Sequence, residues 1–332
     1  MTANVLIDQV RSSFEKLPDA RKGGNHQRYK LQDAALSAFA VFFTQSPSFL
    51  DYQVRMQKQR GRNNASSLVC CASDPQRPAN PQLAAPEQAA VFPLPPAFVV
   101  PQDGHDKQDC EMAASARWLA QWAPRVTQWG ATTFLGDDLY CHQPFCQQVR
   151  AQGCHFLFTC LPASHATLYE WVGDLARSGA LGTVVQTRWT GRQRLSETYR
   201  FAGDLPLRGS EDALLVDWCE LTTTDASGKV LYRNAWATSH KITADHVIDV
   251  ARAGRSRWKI ENENNTLKTR GYHFEHNYGH GKQHLASLLA SLMILAYLMH
   301  TVLDLLDQRS QAVRARLPSR TTFFEHLRAL AQ

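Results

Sequence analysis

Ala131-Thr-Thr-Phe-Leu-Gly-Asp-Asp138, a helical stretch over residues 143–152, and Cys154-His-Phe-Leu-Phe-Thr-Cys160 follow one another, and their order decides the fold. Residues 131–135 form a short β-like run closed by Gly136-Asp137-Asp138, while 154–160 is apolar enough for a strand buried on both faces. Strand, helix and strand at this spacing predict a βαβ unit with a parallel pair. Upstream, residues 110–122 read as an amphipathic helix, and 31–44 keep apolar residues at helical spacing until Ser46-Pro47 stops them. A further short helix is predicted over 49–59. Downstream, 183–189, 193–201, 214–223 and 230–238 are short strands separated by turn residues such as Asp225-Ala-Ser-Gly228, the pattern of an antiparallel β insertion. Residues 243–252, 256–269 and 323–330 return to helical patterning.

The chain has 332 residues, more than a single core usually holds, and its 44% hydrophobic content supplies a real core. Its net charge of +6 is unevenly placed: residues 250–332 carry twelve Lys/Arg against six Asp/Glu, leaving 24 of each elsewhere. Lys58, Arg60 and Arg62, with Arg55, make a second basic cluster without an acid among it. Both clusters suit a polyanion such as DNA. Eight cysteines include no C-x-x-C pair, and the N-terminal residues carry no charged-then-apolar signal segment, so a reducing cytoplasm is the expected location. The apolar run 285–306 approaches membrane-spanning length but contains His300 and Asp304, which favours a buried core helix. Residues 71–101 hold eight of the fifteen prolines and are expected to be irregular.

Arg257, Glu261 and Lys268 form an R-x3-E-x6-K pattern. At about 100° per residue they fall within roughly 40° of one another on a helix, so one carboxylate lies between two cations. Asp137 and Asp138 end a predicted strand, where an open sheet presents groups to its crevice. Carboxylates gathered from separate elements suit Mg²⁺, which prefers oxygen ligands, and two such ions clamp the attacking and leaving oxygens of a phosphodiester displacement. The competing readings are a solvated helix face and a turn with an N-capping Asp.

On these residues the chain resembles the DDE transposases of bacterial insertion sequences, in the branch with a C-terminal Tyr, Arg, Glu and Lys signature. Arg257, Glu261 and Lys268 match its Arg, Glu and Lys. Gly271-Tyr-His-Phe-Glu-His-Asn-Tyr-Gly-His-Gly281, Gln102-Asp-Gly-His-Asp-Lys-Gln-Asp-Cys110 and Leu135-Gly-Asp-Asp-Leu-Tyr-Cys-His142 resemble the same subgroup, and the likeness covers roughly 12–68 and 97–306. Asp137 matches the second acid best because Tyr140 follows three residues on, with Asp138 the runner-up. The resemblance implies an α/β fold: an RNase H-like mixed sheet flanked by helices, interrupted by an antiparallel β insertion, with an N-terminal helical region. It divides the chain into an N-terminal helical DNA-binding region (1–68), the proline-rich segment (69–101), the first part of the core (102–182), the insertion (183–240), the rest of the core (241–306) and a tail (307–332).

It further implies that Asp137 and Glu261 bind two Mg²⁺ ions, with Mn²⁺ as a substitute. Arg257 and Lys268 would hold phosphates, and Tyr272, Lys58, Arg60 and Arg62 would join them on DNA. The expected partners are element terminal repeats and target DNA, bound by a homodimer or larger assembly in the bacterial cytoplasm near the nucleoid, with neither membrane nor nucleotide. Two departures bear on activity. The signature's Tyr position is Gly254, and the strand that should carry the first acid falls where 69–92 reads as foreign or out-of-frame sequence. Asp74 is a weak substitute because Pro75 follows it, and Asp103, Asp106 and Asp109 read as caps and loop charges. The alternative function is therefore a non-catalytic DNA-binding remnant or regulator of transposition.

Other constellations weigh less. His276, His280 and His284 recur every four residues, but Gly279 and Gly281 interrupt any helix that would align them. His240, Asp245 and His246 read as helix-entry residues. The spacings of Cys141 and Cys146, and of Cys154 and Cys160, suit neither a zinc ribbon nor a redox pair, so these read as buried thiols. A G-x-x-x-x-G-K phosphate loop and a Ser-His-Asp hydrolase elbow are both absent.

Overall fold

The computed structural model describes residues 3–19, 30–46, 48–52, 78–79, 82–99, 109–269, 272–274, 276, 278 and 284–330. From the N-terminus, α1 (Ala3–Glu15) and α2 (Leu31–Phe43) precede four short strands, β1 (Pro78–Ala79), β2 (Gln82–Ala84), β3 (Val91–Pro93) and β4 (Ala97–Phe98). Then come α3 (Glu111–Val126), β5 (Thr133–Gly136), α4 (Gln143–Ala151), β6 (His155–Thr159) and α5 (Ala166–Ser178). A meander follows: β7 (Gly182–Trp189), β8 (Arg194–Pro206), β9 (Leu215–Thr224) and β10 (Val230–Thr238). The chain closes with α6 (Val247–Arg255), α7 (Arg257–Thr269), α8 (Leu285–Leu306), α9 (Gln308–Arg316) and α10 (Arg320–Leu330). Two units result: a helical one of Met1–Ala84, Gln88–Asp103 and Lys259–Gln332, and a sheet one of Ala85–Glu87 and Gly104–Trp258.

The sheet unit is a six-stranded mixed sheet in the order β5-β6-β10-β9-β8-β7. β5 and β6 run parallel with Leu135 opposite Leu157, as the strand-helix-strand pattern predicts, and every other pairing is antiparallel. The predicted insertion is thus no separate layer, because β10 pairs with β6 and continues the core sheet. Alternation along β6 explains its unbroken apolar sequence. Phe156 and Phe158 enter one cluster with Leu119, Phe145, Leu168 and Trp218, while Leu157 enters another with Tyr199, Leu221, Trp236, Val247 and Ala251. Helices α3, α4 and α5 therefore cover one face and α6 the other. Each buried Leu, Val and Phe among them contributes about 1.5–3 kcal/mol by leaving water.

Helix α5 lies outside the sequence reading, although Leu168, Val172 and Leu175 give it an apolar stripe at i, i+4, i+7 and Gly179 (φ 71°) ends it in the left-handed region. Helix α1 was equally unread, although Leu6 and Val10 are buried along it and Phe14 packs beside them. The proline-rich stretch also differs from expectation: its described part forms two short antiparallel ladders, β1 with β4 and β2 with β3. Its described prolines lie at ladder ends, Pro78 and Pro93, or between strands, Pro86, Pro95 and Pro96, where the ladder requires no donor of them.

In the helical unit, α8 is the centre. It is long and apolar enough to cross a membrane by length and composition, yet here half of its most apolar window is buried inside the unit. Leu289, Leu292, Met293, Ala296 and Tyr297 pack with Val10, Phe39, Phe42, Leu267 and Phe324. His300 is buried with them, its Nε2 3.0 Å from the Phe43 carbonyl and its Nδ1 2.8 Å from the Tyr272 hydroxyl. A carbonyl only accepts, so Nε2 carries the proton and Nδ1 accepts from Tyr272. Burial first, and then the positive charges of Arg320 and Arg314, push the His300 pKa down to about 3. Asp304, one turn on, is paired with Arg320 at 2.9 Å.

The neutral His300 gives this unit a pH dependence of known sign. Between the ordinary value of 6.5 and about 3 the unfolded chain binds a proton that the native chain refuses. Stability contributed here is full above about 6.5 and falls on acidification by up to about 1.4 kcal/mol per pH unit. Denaturant titrations at stepped pH should show that decline, and His300→Asn should show a shallower one.

Candidate active site

Asp137 sits where β5 ends, at the first position of a tight turn whose next three residues, Asp138–Tyr140, form a single 3₁₀ turn. Its Oδ1 accepts from the Leu139 N–H at 3.0 Å, and the residue is exposed. The N-capping role open to this aspartate from sequence is therefore filled, and the carboxylate still faces solvent. Asp138 is occupied differently. Its Oδ1 accepts from the Leu161 N–H at 2.8 Å and its Oδ2 from the Ser164 hydroxyl, so it fastens the loop after β6 to the loop after β5.

Two features hold Asp137 in place. A methyl group on Gly136 would lie 2.9 Å from the rings of Phe158 and Tyr140, so only glycine lets the strand end pass this close to both. Tyr140 packs on Phe145 and Phe158, and its hydroxyl donates to Glu111 Oε1 at 2.8 Å, with Ser115 Oγ 3.1 Å away. Burial above all, with the Ser115 hydroxyl opposing it and the Glu111 carboxylate adding to it, raises the Tyr140 pKa, which keeps the phenol protonated as donor. The turn bearing Asp137 is thereby tied to the first turn of α3.

Glu261 lies in the helical unit, on α7, and is exposed. The helix spans the predicted residues. Its inward side carries Leu267, buried in the core, Glu263, which accepts from the Tyr297 hydroxyl, and Asn264, 2.9 Å from Gln82 Nε2. Lys268 is seven residues from Glu261 and returns to nearly the same face, as the spacing requires. Arg257 begins the helix and is half-buried, as is Lys268. Asp137 and Glu261 belong to different units.

Gly254, where the resembling signature has Tyr, is explained by packing. A methyl group there would stand 2.6 Å from the Trp236 indole, which is 1% exposed, so α6 rests its backbone directly on the sheet. Tyr272 is a correction to the sequence reading. It is 1% exposed, bonds His300 and meets Tyr297 and Phe324 edge-on, so it is a core residue with no surface for a nucleic acid. Lys58, Arg60, Arg62, Asp74, Asp103 and Asp106 lie outside the described residues. Asp109 is buried and makes a two-pronged pair with Arg117, at 2.8 and 2.7 Å, which fixes the entry to α3. Among the described residues β5 pairs on one side only, with β6.

A family model described as a transposase DDE domain matches residues 97–299, more than half of the chain. The chain belongs to this family. A comparison with curated proteins finds no match. The span matched to the transposase domain takes in Asp137, Arg257, Glu261 and Lys268, and it begins inside β4, beyond most of the proline-rich stretch.

One group escaped the sequence reading. Spacing along the chain sets Cys141 beside Cys146 and Cys154 beside Cys160, whereas the parallel pairing brings Cys141 and Cys160 together beside His165. The signal was present: each thiol follows directly on a strand or turn of the βαβ unit.

Gly136→Ala should lower the denaturant midpoint by the equivalent of about 1–3 kcal/mol, the usual cost of forcing a methyl group into packed rings. Loss of the Tyr140 to Glu111 hydrogen bond in the same variant is the finer readout, seen as a downward shift in the tyrosine ultraviolet titration.

Proposed function

We propose that this member of the transposase DDE family is an insertion-sequence transposase whose strand cleavage and strand transfer centre on Asp137 and Glu261. The observation that carries the reading is the contrast between the two strand-end acids: Asp138 turns its oxygens toward the loop after β6, accepting from Leu161 and Ser164, while Asp137 stays exposed. Oxygen donors on Asp137 and Glu261 fit Mg²⁺ by type, or Mn²⁺ in its place. When bound, the ions polarise a phosphoryl oxygen and activate water and then a 3′-hydroxyl as nucleophiles.

The chain's own residues do the rest. The Leu139 N–H holds one oxygen of Asp137, which leaves the other to turn outward. Lys268, a compact charge, and Arg257, a planar fork, hold phosphates of the bound strand from the polar side of α7. DNA is the partner, recognised at the element ends and at the target by two or more copies acting together.

A second reading is favoured by two observations: β5 has a single neighbour among the described residues, and Asp109 is tied to Arg117. A core lacking the strand that carries the first acid binds DNA without cutting it, since the carboxylates that would hold the ions are one short.

Cleavage of a DNA bearing the element's ends, with and without Mg²⁺, separates these. Cleavage abolished by Glu261→Ala supports the enzyme, binding without cleavage supports the non-catalytic form, and cleavage unaffected by the substitution refutes the site. In binding assays Lys268→Ala should weaken affinity for all sequences alike and reduce the slope of log K against log salt by about 1.

A further inference from the structure

Cys141, Cys160 and His165 form a buried group in the sheet unit, with one ligand atom from each lying within 4.8 Å of the others. Both thiols are fully buried and His165 is 5% exposed. Cys141 closes the turn after β5, Cys160 directly follows β6, and His165 caps α5, so three neighbouring elements each contribute one group. The His165 Nε2 is buried and makes no hydrogen bond, although an interior imidazole nitrogen left without a partner is costly. It points toward Asp138 Oδ1, 3.4 Å away.

These are the donors of a tetrahedral zinc site. Sulfur and nitrogen bound at about 2.3 and 2.0 Å stand roughly 3.3–3.8 Å apart along the edges of a tetrahedron, so the group needs only a small contraction. The separation of His165 Nε2 from Asp138 Oδ1 already equals such an edge. The pattern along the chain, Asp138-x2-Cys141 and Cys160-x4-His165, is two local pairs brought together by a parallel ladder.

We infer that Cys141, Cys160 and His165, with Asp138 as fourth ligand, bind a structural Zn²⁺ ion that clamps the ends of β5 and β6 next to Asp137. On binding, each thiol releases a proton to solvent and the ion is held as two thiolates, one neutral imidazole and one carboxylate. The Leu161 N–H, already on Asp138 Oδ1, orients that ligand from outside the coordination shell. With every coordination position filled by protein, the ion has no place for substrate. Its role is to fix the turn that presents Asp137. Soft sulfur ligands separate this site from any hard-cation chemistry at Asp137 and Glu261, so it stands independently of the proposed function.

Cobalt provides the probe. The full chain loaded with one equivalent of Co²⁺ should show sulfur-to-cobalt charge-transfer absorption and the intense visible bands of a tetrahedral ion, unchanged by excess Mg²⁺ and by Asp137→Ala. Cys141→Ser and Cys160→Ser should each weaken the charge-transfer band, and His165→Ala should lower zinc retained after desalting from one equivalent per chain toward none. Cys219→Ser, a buried thiol in the opposite cluster, should leave both readouts intact. A folded wild-type chain that takes up cobalt without a sulfur band, or retains no zinc, overturns the inference. So does a Cys141–Cys160 disulfide found by mass spectrometry in protein prepared without reductant.

Discussion

Strand β6 is the constraint on which the sheet unit depends. It is buried on both faces, paired in parallel with β5 on one edge and antiparallel with β10 on the other. A strand in that position has no tolerance for a polar side chain in its middle. One register step would also exchange Phe156 and Phe158 with Leu157 between two differently shaped cores. Because register is so firmly set, the residues at the strand ends are set as well. Asp137, Cys141 and Cys160 inherit their positions from hydrophobic packing several ångströms away.

The two neighbouring aspartates show how one turn divides its labour. Asp138 spends its oxygens on the loop that follows β6, a bond between two strand ends that costs the molecule a surface charge and returns rigidity. Asp137 uses one oxygen within its own turn and faces solvent. Behind them Gly136 and Tyr140 allow the close approach that keeps the turn tight. An exposed carboxylate is thus presented on a loop end while rigid elements position it.

Buried charge is handled differently in the insertion. Glu220, 3% exposed at its side chain, lies opposite Arg200 on β8 and pairs diagonally with Arg233 on β10, and Asp217 meets Lys241 together with the N–H groups of Asp204 and Ile242. Carboxylates so enclosed need several donors each, and cross-strand pairs supply them at positions where a slipped register would leave an ion alone. The pairs thus work against misregistration more than they add stability. At the far edge, β7 is largely exposed and carries Arg188, which pairs with Glu197, a charged rim of the kind that discourages pairing with another chain.

Sequence alone determined the elements that have strong periods or unbroken apolar runs: the βαβ unit, the four insertion strands, the helix bearing Arg257, Glu261 and Lys268, and the central helix with its buried histidine. Burial patterns are written residue by residue, so they survive without a partner in view. Helices α1 and α5 stayed hidden because their narrow apolar stripes, Leu6, Val10 and Phe14 in one and Leu168, Val172 and Leu175 in the other, gain meaning only against the surface they cover. The same reason moved Tyr272 from surface to core, since an aromatic hydroxyl near basic residues looks alike in both settings until His300 accepts its hydrogen bond. What tertiary structure decided was proximity: that the insertion joins the core sheet, that Asp138 is engaged while Asp137 is exposed, and that two cysteines nineteen positions apart meet a histidine. Parallel pairing links residues through a crossover, and chain separation carries no record of that distance until the strands have met.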